Sequence, residues 1–131
     1  MPKFVDIETP YASPTSEGLI RNIRYARACV RDSLSRGEIP FASHLFYTQP
    51  GVLDDTVPAE REKGIEAGKI MIEALHAVTV VYTDLGISNG MRLGIERAKK
   101  SGRNIEERTL GDNWEEEFSR HERNHAHINA W

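Results

Sequence analysis

The chain has 131 residues, 39% hydrophobic and 28% charged, enough for one domain with its own core and too few for two. Its 17 basic and 20 acidic side chains leave a formal net charge of −3, without the basic excess typical of proteins that bind a nucleic-acid polymer. One cysteine excludes an internal disulfide, and no run approaches the roughly 20 apolar residues of a membrane span, so a cytoplasmic protein with no membrane attachment is expected.

Phe4-Val5-Asp6-Ile7 predicts a short first strand. Thr9-Pro10-Tyr11-Ala12-Ser13-Pro14-Thr15-Ser16 follows, dense in turn formers and helix caps. From about Glu17 to Arg36, Leu19, Ile23, Ala26, Val30 and Leu34 recur at helical spacing, and Gly37 stands where a left-handed terminator belongs. Cys29 falls among these apolar positions and reads as a core thiol. Ile39 to Leu45 predicts a second strand entering the Gln49-Pro50-Gly51 loop. Thr56 and Pro58 open a second helix that reaches about Leu75.

Ala77-Val78-Thr79-Val80-Val81-Tyr82 is the strongest strand signal, a β-branched run suited to burial on both faces. After the loop Asp84-Leu85-Gly86-Ile87-Ser88-Asn89-Gly90, a third helix runs from about Gly90 to Lys100. Asn104 to Thr109 predicts an edge strand. From Gly111 the chain turns polar and suggests a C-terminal helix anchored by Trp114 and Phe118. The alternation of strand and helix predicts a three-layer, Rossmann-like or flavodoxin-like α/β fold: about four parallel strands, helices on both faces, and that C-terminal helix.

Ligands of open α/β sheets bind beyond the carboxyl ends of the strands. Three loops arrive there, carrying Tyr11 and Ser13, then His44, then Asp84, Gly86, Ser88 and Gly90. Ser88 lies between two glycines just before a helix, so the N–H groups of Gly90 and Met91, the helix dipole and the Ser88 hydroxyl can converge on a phosphate or carboxylate. The structural alternative is a plain helix cap with flanking turn glycines.

In order and spacing, Thr9-Pro10-Tyr11-Ala12-Ser13-Pro14, Arg21-Asn22-Ile23-Arg24-Tyr25-Ala26, Ala42-Ser43-His44-Leu45 and Gly86 to Ala98 resemble the nucleoside 2-deoxyribosyltransferase superfamily. The closer likeness is to its nucleoside-monophosphate N-glycosidase branch and to relatives in phages and bacteria. The resemblance implies a nucleotide-binding domain over residues 1–110, with residues 111–131 a polar helical extension. It implies a nucleoside monophosphate or related nucleotide as ligand, no cofactor, a homodimer or higher homo-oligomer, and a bacterial or phage-infected host cytosol.

By the same resemblance, Ser88 and Gly90 hold the 5′-phosphate; Tyr11 and His44 are expected near base or sugar, and Ser13, Gly86 and Met91 are further ligand-binding candidates from their place in these loops. Arg21 or Asn22, at the helix start, reaches a ligand phosphate. A helix glutamate attacks the anomeric carbon in such enzymes. Counting from Ser88 it belongs at position 94, where this chain has Gly94, and Glu96 lies roughly 200° further round the helix.

The replacement carboxylates are Asp84, Asp54, Asp55, Glu60 and Glu62, with Asp84 the best placed for catalysis; its structural alternative is a turn residue. Two functions therefore stand side by side: N-glycosidic cleavage or transfer, and non-catalytic capture of a signalling nucleotide. His121-Glu122-Arg123-Asn124-His125 fits H-E-x-x-H, but only six residues follow and none supplies a distant third ligand, so no metal site is expected.

Overall fold

The computed structural model describes residues 2–125. Strand β1 (Phe4–Glu8) leads into helix α1 (Ser16–Ser35), β2 (Ile39–Phe41) and a short α2 (Ser43–Phe46). Then come α3 (Pro58–Ala74), β3 (Val78–Tyr82), α4 (Asn89–Lys100), β4 (Ile105–Arg108) and α5 (Trp114–Arg123). The strands form one parallel sheet in the order β2-β1-β3-β4, with Val5 beside Val78 and Thr79 beside Ile105. This is the Rossmann-like α/β arrangement expected from the alternation.

Local chemistry sets the element ends. The Thr15 hydroxyl accepts from the Gly18 amide and starts α1. Pro58 opens α3, where its missing N–H is harmless. The second strand is shorter than its apolar run predicts. Pairing with β1 ends at Asp6 beside Phe41, and the Leu45 and Phe46 amides then donate to the Ala42 carbonyl. Ser43 to Phe46 is therefore helix, a distinction that a short apolar run does not make.

The pleat divides the sheet into two faces. Val5 and Ile7 of β1, with Val80 and Tyr82 of β3, pack against Tyr25 and Cys29 of α1 and against Trp114 and Phe118 of α5. Cys29 is wholly buried, and burial pushes its thiol up, away from reactivity. The opposite face carries Asp6, Glu8 and Thr79, and α3 and α4 close over it.

The C-terminal helix is anchored as expected. Trp114 and Phe118 are buried within this chain, Trp114 edge-on to Tyr25 at 5.0 Å. Trp131 lies outside the described residues. Arg24 ties α1 to α5 through Glu122 at 2.8 Å and Ser119 at 2.9 Å.

At the sheet edge, Arg108 makes two short bonds to Glu38, at 2.7 and 2.6 Å, and donates to the Tyr82 hydroxyl at 3.2 Å. Lys3 joins the cluster through Glu106 at 2.7 Å. No helix among the described residues is long and apolar enough to cross a membrane.

Candidate functional site

Where β1, β2 and β3 end, a cavity of about 370 Å³ opens between the sheet, α3 and α4. Its floor is polar because β1 alternates: Val5 and Ile7 point to the core, Asp6 and Glu8 to the cavity. One wall is the start of α4, with Ser88, Gly90 and Met91, and another is the loop and short helix bearing Tyr11 and His44. Arg61 and Lys69 of α3, Arg97 of α4 and Arg103 supply positive charge around it.

At the α4 entrance the Ser88 hydroxyl oxygen accepts from the Met91 amide at 3.3 Å, and the Ser88 amide lies 3.3 Å from the Met91 sulfur. Met91 therefore has no amide to spare, against the expectation that it grips an anion. Asn89 and Gly90 are first-turn residues whose N–H groups no helical carbonyl reaches, and the Ser88 hydroxyl keeps its own proton to donate. The free amides at this helix start are those of Asn89 and Gly90, one residue earlier than the sequence suggests.

His44 Nε2 lies 2.7 Å from the Thr9 hydroxyl, and its ring meets Tyr11 edge-on at 5.8 Å. Burial pushes the imidazolium down to about 4, so His44 is neutral at pH 7 and serves as a hydrogen-bonding group, not a charge. Tyr11 divides the cavity from a shallower depression of about 520 Å³, which holds Ser13, Asp54 and Glu60. Ser13 is thus one chamber removed from His44.

Three expected site residues have other work. The Asn22 side chain donates to the carbonyl of Tyr11 at 2.8 Å; it shapes the loop and does not face the cavity. Gly86 turns the chain at φ +85° and also lies outside the cavity wall. Asp84 accepts from the Tyr25 hydroxyl at 2.5 Å, from the Leu110 amide at 2.9 Å and from the Gly111 amide at 3.1 Å. Burial opposes its charge, but those donors outweigh it and hold Asp84 below the ordinary carboxylate range. It clamps Tyr25 and the turn before α5, and it does not line the cavity.

Of the other carboxylates, Asp55 lines the cavity with Arg61, 3.9 Å away. Glu96 pairs with Lys99 in solvent. The carboxylates the sequence reading passed over are Asp6 and Glu8. Asp6 is 3% exposed and accepts from the Thr79 hydroxyl at 2.9 Å, while Arg103 donates to that same hydroxyl at 2.7 Å. Their signal was the alternation Val5-Asp6-Ile7-Glu8, which puts two acids on one face of a strand that a parallel sheet covers on both sides.

At the C-terminus, Glu122 is occupied by Arg24, and no group of three metal-binding side chains occurs among the described residues. His127 lies outside them.

Sheet and cavity together define a parallel α/β protein with a paired-carboxyl site at its strand ends. Residues 3–108 match the family described as "Domain of unknown function (DUF7768)", and the chain belongs to that family. No curated protein and no solved structure matches it.

Proposed function

We propose that the cavity binds a nucleoside monophosphate and that the protein cleaves its N-glycosidic bond, the bond on which the nucleoside 2-deoxyribosyltransferase superfamily that the sequence resembles acts. One observation carries the reading: the free first-turn amides of α4, the buried Asp6 and the half-buried Glu8 open into the same 370 Å³ space. That volume is within the range of small-ligand sites, roughly 300–1,000 Å³. The α4 end suits a 5′-phosphate, with Arg61, Lys69 and Arg97 adding charge. Tyr11 and the neutral His44 offer a ring face and a hydrogen bond to base or sugar.

A second reading, capture of an intact nucleotide, draws on Gly94, which leaves α4 without a carboxyl facing the site. Incubation with the four deoxynucleoside 5′-monophosphates, followed by chromatography, separates the two. Free base supports cleavage; quantitative recovery of bound, intact nucleotide supports capture. Ser88→Ala combined with Gly90→Val is expected to weaken binding by about 1.5–3 kcal/mol, the worth of a charge-assisted hydrogen bond. Unchanged affinity in calorimetry removes the phosphate site.

The same reading carries the expected homodimer. Exposed Ile65 of α3 and Leu93 of α4 stand at the cavity mouth, among other exposed apolar side chains, and a monomeric mass in solution removes the homodimer and any higher homo-oligomer.

A further inference from the structure

We propose that Glu8 is the proton donor of this site, the group that protonates the departing base as the N-glycosidic bond breaks. The proposal rests on the glycosidic reading above and identifies the residue that carries its chemistry.

The first support is how Glu8 is lodged. A side chain added at Gly94 would place its Cβ on top of the Glu8 carboxyl group, overlapping both oxygens and the carboxyl carbon. With glycine at 94 the Glu8 carboxyl lies directly against α4; a side chain there would make it swing aside. β1 thus brings an acid to the stretch of α4 where the helix has none.

The second support is the company it keeps. Glu8 stands on the same face of β1 as Asp6, two residues away, and the charge of Asp6 disfavours a second charge on Glu8. Their surroundings differ. Burial raises the Asp6 carboxyl, but Asp6 accepts from Thr79, which is itself held by Arg103, and those partners favour its charge. Burial first, and then the charge of Asp6, raises the Glu8 carboxyl well above the ordinary carboxylate range, against the attraction of Arg97 and Arg103. Around the pair stand Arg97 on α4, Arg61 and Lys69 on α3, Asp55 before α3, and the uncharged His44 on α2.

A carboxyl raised by burial beside a second carboxyl with its own hydrogen-bond donor is the arrangement that acid-assisted departure of a leaving group needs. The bond from the sugar's anomeric carbon to the base nitrogen breaks, and its electron pair goes to the base. The Glu8 O–H bond breaks and the proton goes to the base. A water oxygen bonds to the anomeric carbon, and the water's proton returns to the Glu8 carboxylate. Nucleotide and water become base and sugar phosphate, with no covalent enzyme intermediate.

The test compares the four deoxynucleoside 5′-monophosphates with N7-methyl-dGMP, whose methylated base departs neutral without receiving a proton. Glu8→Gln is expected to slow base release from the unmodified substrates by about 10²–10⁴-fold and to change release from N7-methyl-dGMP by less than about tenfold. In the native protein, release from unmodified substrate falls as pH rises through the Glu8 titration, while N7-methyl-dGMP shows no such fall.

Equal loss on both substrate types, or no loss on either, overturns the donor role. So does native protein that binds these nucleotides and releases no base. Native protein that binds none of them instead removes the nucleotide reading itself. Folding is checked by thermal melts. Because the folded carboxyl is raised, its stabilising contribution is present below about pH 4 and lost as pH rises through the raised value. Glu8→Gln is therefore expected to melt above the native protein at pH 8, with the gap closing at low pH.

Discussion

Arg108→Ala is expected to lower unfolding free energy by about 3–5 kcal/mol, the usual effect of removing one partner from a buried ion pair. The guanidinium and the Glu38 carboxylate are each 8% exposed, and they meet through two bonds of 2.7 and 2.6 Å. Without Arg108, Glu38 keeps only Ser33 at 2.8 Å and Lys3 at 3.2 Å, and its charge stays in a poorly hydrated place. Tyr82 loses a donor at the same time.

For a domain whose total stability is about 5–15 kcal/mol, that is a large share. The pH dependence follows. Arg108 first, with Ser33 and Lys3, holds Glu38 down to about 2, so its contribution is full above the ordinary carboxyl value and fades as pH falls from about 4 toward 2. In urea titrations, the alanine variant is expected to lose that acid-side slope. A loss below about 1 kcal/mol contradicts the assignment.

Asp84→Ala is expected to cost about 2–4 kcal/mol, since it strips a charged acceptor from the Leu110 and Gly111 amides and from Tyr25. Those bonds fasten the turn before α5, so the loss is expected to appear as early loosening of α5 and of the Trp114–Tyr25 contact, visible in tryptophan fluorescence. Base release per folded molecule is expected to be unchanged, because Asp84 lies outside the cavity. Abolished turnover in a folded Asp84→Asn protein returns the residue to the active site.

The contrast between Asp84 and Glu8 marks how far the residues alone can be read. Repeated apolar spacing and the β-branched run at Ala77 to Tyr82 were enough for the order of elements and the parallel sheet. The cap at Ser88 was legible too, because capping is local. Asp84 was not, since its partners stand 26 and 59 residues away and an acid at a strand end reads alike as pocket or as clamp.

Asp6 and Glu8 looked like the wet side of an ordinary strand. Only the sheet order, which sets β1 between β2 and β3, shows that this side is covered. Gly94 was legible as a missing acid. Its cause, a carboxyl arriving from residue 8, is a contact between distant segments that spacing does not reveal.

A crystal structure with a deoxynucleoside monophosphate bound to the Glu8→Gln protein tests the account most directly. The phosphate is expected within hydrogen-bond distance of the Gly90 amide and the Ser88 hydroxyl, with the glycosidic nitrogen facing residue 8. A nucleotide seated away from the start of α4, or an empty cavity at millimolar nucleotide, contradicts it.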